Sequence, residues 1–395
     1  MINRLRRAPA TLAVILATLT VTGCAREDAD ATKPDTETTK PDTETTQTDR
    51  IGWVLWRGDA AQTGLAGTAL PQELSLLWTH EAKAGVESAA AIVDDTVYIG
   101  TNNDELLALD LATGKPKWRY AAKGPVSAGV CVNDGRVFVG DDAGWFHAVD
   151  AKTGTKLWTH ETYGRIVSGA NVSADTVLFG SYDNVLYCLE AATGKVKWTF
   201  RAGAQVHASP CVFDGRTSIA GCDMQCRIID LQTGEESGTI PLGSNVAASP
   251  AYRDGKLYVA TMNAGLQCVD TTALEVAWRY EEQGLGSLFA SPAVGPWGVI
   301  FAARDGTMVC VDATDGRKKW EFSSKGGIDS SPVVVGDRVF FGSGDGNVYA
   351  LGVADGVKQW SFTAGAGVTA SPAAGQGRLV IGSEDGAIYC FGAKP

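Results

Sequence analysis

The sequence predicts an all-β protein: an eight-bladed β-propeller of four-stranded antiparallel blades, the last blade closed by strands from both termini. Three observations carry this prediction. Tryptophans recur every 40 residues at Trp78, Trp118, Trp158 and Trp198, give way to Gly238, and resume at Trp278, Trp320 and Trp360, with one spacing stretched to 42. Between them the residues alternate apolar and polar at period two, interrupted by turn residues, and no stretch carries a helical period. The ends of the repeat region are complementary: "LSLLWTH" around Trp78 has no three strands before it, and the final repeat stops short of its tryptophan strand. A fixed period of this length marks a repeat architecture. One such unit cannot bury both of its faces, and a closed ring of units covers them and removes the free sheet edge.

Each element follows from the repeat that begins at Glu87. "ESAAAIV" turns at Asp94-Asp95 into "TVYIGT", which turns at Asn103-Asp104 into "ELLALD", which turns through "LATGK" into "PKWRY". Asp134-Gly135, Asp214-Gly215 and Asp254-Gly255 recur at the first turn, as residues that tolerate the positive φ of tight hairpins. In "ALDLATGKPKW" Asp110 is placed to accept the following amides, Gly114 to turn without Cβ strain, and Trp118 to bury about 150–250 Å² against the adjacent blade. Trp78, Trp118, Trp158, Trp198, Trp278, Trp320 and Trp360 are therefore read as structural docking residues, and the unit that has Gly238 instead is expected to open first.

Before the propeller come three segments. Residues 1–23 combine Arg4, Arg6 and Arg7 with an apolar run, the pattern of a secretory signal peptide too short to span a bilayer comfortably. The run ends in "VTGC", which resembles a bacterial lipobox and makes Cys24 the expected acylated N-terminus; Ala25 after it implies the outer membrane. Residues 24–50, with "KPDTETT" twice, hold too little apolar surface to fold and form a tether spanning about 25–30 Å. Residues 51–73, with Trp53 and Trp56, are too apolar for a tether and are expected to cap the propeller of residues 74–395.

Net charge of -11 opposes nucleic-acid binding, which needs a positive face. Each Gly-Lys pair lacks the following Ser or Thr of a phosphate loop, and no Gly-x-Ser-x-Gly elbow is present. Cys188, Cys268, Cys310 and Cys390 share the register of Ala108, Ala148 and Ala350, while Cys131 and Cys211 share that of Ala91 and Ala251; both sets read as small core residues. Cys222 and Cys226 flank a hairpin in "GCDMQC", where either a disulfide or two free thiols is consistent with the spacing. His80 and His160 fall in an aromatic outer-strand register and His147 in a variable outward one, so the four histidines build no metal site. The loops entering the inner strands put Glu87, His207, Phe289 and Asp329 at equivalent positions, with Ser127, Val167, Ala247 and Thr369 between them, around one mouth of the central channel. They form a candidate ligand site.

The pattern Ala-x-Asp-x-x-Thr-Gly-Lys-x-x-Trp at Ala108–Trp118, repeated in Thr193, Gly194, Lys195 and Trp198, resembles the tryptophan-docking motif of the pyrroloquinoline quinone (PQQ) repeat propellers, and the likeness extends over residues 74–395. It thins at Gly238, in "CVDTTALEVAW" and in "ALGVADGVKQW". Two branches are implied. BamB-like lipoproteins assist outer-membrane β-barrel assembly as scaffolds, with protein partners in the envelope and a lipid anchor as the only membrane contact. Quinone-dependent dehydrogenases instead imply adjacent cysteines over the cofactor and calcium-binding acids in long loops. The sequence has no adjacent cysteine pair and its loops are uniform, so the expected function is a non-catalytic BamB-like scaffold without PQQ or metal. A periplasmic quinoprotein oxidoreductase and a ligand-sensing propeller are the alternatives.

Overall fold

A computed structural model describes residues 52–394, residue 264 excepted. The signal peptide, Cys24 and the tether lie outside the described residues. Among the described residues every regular element is a strand, and the strands form eight sheets. We name each blade by the residue in its tryptophan register. The Trp118 blade runs outward as Ala91–Val93, Thr96–Thr101, Glu105–Asp110 and Pro116–Ala121, each strand antiparallel to the last. Closure follows the predicted scheme: Ser75–Glu81 pairs with Ala387–Gly392, bringing Trp78 opposite Cys390, and Arg378–Gly382 and Ala373–Gly375 complete that blade.

Local chemistry sets the turns. Asp134 and Gly135 both take positive φ, 48° and 70°, which matches a two-residue hairpin to the strand twist. At the outer turn Asp150 Oδ1 accepts the Lys152 and Thr153 amides and the Thr153 hydroxyl, and Gly154 follows at φ 72°. Every outer strand then carries a bulge: Trp158 pairs with Ala148 and Lys156 with Val149, which leaves Leu157 unpaired.

The bulge delivers each indole to the next blade. The Trp118 indole lies on Gly154, where a Cβ would come within 2.7 Å of the ring, and its N–H donates to Ala151 O at 3.0 Å. Trp78, Trp158, Trp198, Trp278 and Trp320 repeat the same bond to Leu111, Ala191, Leu231, Ala313 and Val353. Trp360 faces the closing blade, whose two outer strands are not joined by a turn, and packs edge-on against Phe391. The small residues read as core are buried, and the structure pairs Cys188, Cys268, Cys310 and Cys390 with tryptophans.

Three residues are exchanged together at the contact between the Gly238 blade and the next. Gly238 pairs with Ile228, where other blades have Ala or Cys, and the turn glycine of the next blade is replaced by Leu274. A Cβ on Gly238 would lie 2.6 Å from Leu274 Cδ2, so the leucine side chain covers the place where the indole would dock.

Residues 52–66 do more than cap. Gly52–Trp53 pairs antiparallel with Ala91–Val93, and Leu65–Ala66 pairs parallel with Val333–Val335, giving two blades a fifth, innermost strand. Between them the segment crosses the axial channel, where Val54, Ala60, Ala61, Thr63 and Gly64 carbonyls accept amides of Val132, Val212, Tyr252, Val294 and Val334 at one register of five inner strands. Arg57 is 1% exposed and donates to Pro332 O at 2.7 Å and Pro292 O at 2.9 Å, and Gln62 donates to Pro210 O at 2.7 Å. The segment is a plug closing one mouth of the channel.

Candidate functional site

The opposite mouth is an open funnel of about 490 Å³. Glu87, His207, Phe289 and Asp329 line it together with their four equivalents, so the structure unites all eight positions that the repeat register aligned. One step deeper, the residues leading into the inner strands are Ser209, Ser249, Ser291, Ser331 and Ser371 on five blades, and Ala89, Gly129 and Gly169 on the other three. The serines stitch neighbours together: Ser249 Oγ accepts the Ser209 amide, Ser291 Oγ the Ser249 amide, Ser331 Oγ the Ser291 amide and Ser371 Oγ the Ser331 amide, at 2.9–3.0 Å.

Trp56, from the plug, floors the funnel. Its indole lies against Gly129 and Gly169, where a Cβ would come within 2.9 and 2.8 Å, and its N–H reaches Ser249 Oγ at 3.3 Å. The glycine arc and the indole are therefore complementary shapes. Sequence reasoning missed Trp56 as a lining residue, because the segment has no repeat partner to align with. The serine ring had a visible signal, Ser-Pro at 209, 249, 291, 331 and 371.

Around the rim the charges are paired. Arg304 Nε donates to Asp329 Oδ1 at 2.7 Å, and its guanidinium sits 3.4 Å over the Phe289 ring. Asn102 Nδ2 donates to Glu87 Oε1 at 2.9 Å. Arg165 meets Asp142 at 2.5 Å, and Tyr182 Oη lies 2.5 Å from His207 Nδ1. Burial, then the neighbouring Arg165 charge, holds His207 down to about 4, so the imidazole is neutral at neutral pH.

One open alternative resolves and one expectation is corrected. Cys222 and Cys226 do not form a disulfide. Cys226 turns into the blade core between Ala220 and Ile240, where burial pushes its thiol up to about 12, whereas Cys222 stays half-buried in the turn on the funnel face. His147 is not outward-facing but 1% exposed: Nε2 lies 2.8 Å from Asp141 Oδ2 and Nδ1 2.9 Å from Tyr120 Oη, a buried bridge between two blades. Burial pushes the Asp141 carboxyl up, but the bonds from His147 and the Trp145 and Lys123 amides outweigh it and leave it below the usual range. Among the described residues no group of three or more acids, histidines or cysteines is arranged to hold a metal ion.

The funnel face also exposes apolar side chains on consecutive blades. Tyr163 is 97% exposed and Met224 45%, next to half-exposed Arg165 and the Cys222 turn. A Tyr, an Arg and a Met on one loop-built rim are residue types enriched where proteins dock.

The family described as outer membrane protein assembly factor BamB matches residues 49–169, 147–237 and 283–394. The chain belongs to it. No curated protein matches the sequence. Among solved structures, BamB from Moraxella catarrhalis is 21% identical with a TM-score of 0.70, covering 82% of this chain and 98% of that one. Quinohemoprotein alcohol dehydrogenase from Comamonas testosteroni is 16% identical with a TM-score of 0.76, covering 87% and 81%. The computationally designed Ika8 protein is 16% identical with a TM-score of 0.71, covering 80% and 98%. At these identities the structural likenesses establish the propeller fold that the BamB family shares with the dehydrogenases.

Proposed function

We propose that this BamB-family propeller is a non-catalytic scaffold of the cell envelope, held at the periplasmic face of the outer membrane by acylated Cys24, and that its funnel face binds protein partners in outer-membrane protein assembly. The family match across three segments carries this reading. The exposed Tyr163 and Met224 sector supplies the surface, since loops on a rigid scaffold are where recognition resides.

The dehydrogenase neighbours favour an oxidoreductase reading, but the funnel residues do not fit a tricarboxylate quinone. Glu87 and Glu384 line its mouth and would repel the carboxylates, and Arg165 and Arg304 are already committed to Asp142 and Asp329. A photo-crosslinker at position 163, used in native envelopes, tests the scaffold. Capture of outer-membrane assembly components, lost in Arg165→Ala and Met224→Ala chains, is expected; PQQ-dependent dye reduction by the purified protein would replace the scaffold with the enzyme. Cys24→Ser is expected to move the protein from the membrane to the soluble fraction, and a mutant that still sediments with lipid would require another anchor.

A further inference from the structure

We propose that the funnel is a binding site for a neutral saccharide of one or two rings, independent of the partner surface around it. The deep wall offers hydrogen-bond donors. Each of Ser209, Ser249, Ser291, Ser331 and Ser371 is at most 6% exposed and takes a neighbouring amide on its oxygen. Among the described residues none of the five hydroxyls donates to a protein acceptor, so an arc of buried O–H groups is left to face the cavity. A hydroxyl has one hydrogen to give, and burial makes an unused one costly. The occupant must therefore bring acceptors.

Charge narrows the class. With Arg165 and Arg304 paired to Asp142 and Asp329, the hydroxyl donors of the wall disfavour a cation there, while Glu87 and Glu384 at the mouth disfavour an anion. What remains is neutral and able both to accept from the serines and to donate to the rim carboxylates. Shape narrows it further. The Trp56 indole forms a flat apolar floor, and the Arg304-covered Phe289 ring stands at the rim above the serine arc. A sugar ring has an apolar C–H face to lay on an indole and hydroxyls around its edge that donate and accept. About 490 Å³ lies within the range of small-ligand sites and has room for one or two such rings.

The test is titration calorimetry and saturation-transfer NMR on the chain with its plug segment intact, using glucose, N-acetylglucosamine, maltose and diacetylchitobiose, with citrate and spermidine as charged controls. At least one saccharide is expected to saturate with Kd about 1 mM or tighter. Trp56→Phe is expected to keep that binding, and Trp56→Ala and Asp329→Asn each to weaken it about tenfold while the chain remains folded by circular dichroism. Because Trp56→Ala also loosens the plug, Ser291→Ala plus Ser331→Ala provides a second reading from the opposite wall, again with a loss of about tenfold. The inference is overturned if no saccharide saturates the folded protein, if citrate or spermidine binds in its place, or if binding ignores both Asp329→Asn and the paired serine change.

Discussion

Arg57 is the side chain whose loss the propeller is expected to feel most. It is a fully buried cation that donates to two carbonyls while its Nε has no partner, and burial, partly offset by Asp59, lowers it to about 9. Arg57→Met leaves the buried Pro292 and Pro332 carbonyls without their donors, so a loss of about 3 kcal/mol in urea unfolding is expected; a change below a few tenths would show that the plug contributes little. His207 makes a pH prediction at the same scale. Its folded value of about 4 lies below the ordinary 6.5, so the unfolded chain binds the proton first as pH falls. Its contribution to stability is whole above about 6.5 and is lost on the way down to 4. The wild type is expected to lose more stability than His207→Gln between neutral pH and the lower value, and parallel losses would refute the assignment. Neither role was legible in the sequence as such. The register placed His207 at the mouth, but Tyr182 and Arg165 reach it from other loops, and Arg57 lies in a segment that repeats nothing.

Strands, turns and docking tryptophans were legible because each is restated around the ring, and disagreement among copies was itself informative. The three residues exchanged at the contact between the Gly238 blade and the next show what a single register hides. Read alone, Gly238 is a missing clamp; read with Ile228 and Leu274, it is an aliphatic contact replacing an indole. Gly238→Trp alone is expected to destabilise by clashing with both neighbours, whereas Gly238→Trp with Leu274→Gly and Ile228→Ala restores the geometry of the other blades. Their effects should be non-additive by about 1–3 kcal/mol, and simple additivity would mean the three positions are not coupled. The aliphatic contact lacks the indole N–H bond to the following blade, so the Gly238 blade is still expected to exchange its amides earliest. Earlier exchange in a tryptophan-bearing blade would count against this. The Cys222 and Cys226 thiols were not legible, because spacing across a hairpin does not say which side chain enters the core.

At the scale of the whole molecule, the closing blade and the plug both join the start of the propeller to its end. Deleting residues 74–80 exposes the edge of Ala387–Gly392 and is expected to lower the melting temperature far more than deleting residues 25–50, which precede the described structure. Equal melting temperatures would contradict the role of closure. The closed ring was legible from complementary ends, but the plug was not, since an apolar segment beside a propeller says only that it packs somewhere. The same feature constrains time as well as shape. Thr68 bonds Gly377 across 309 residues, Arg57 bonds Pro332 across 275 and Ser75–Glu81 pairs with Ala387–Gly392, so these early residues meet those partners only when the final repeats arrive. Contacts this distant in sequence form slowly, and the waiting strand exposes an unpaired edge meanwhile. Closing the ring is thus the last event of maturation, and a chain cut short in its final blade would be left open at the rim, with Thr68 at the end of the plug lacking its partner Gly377.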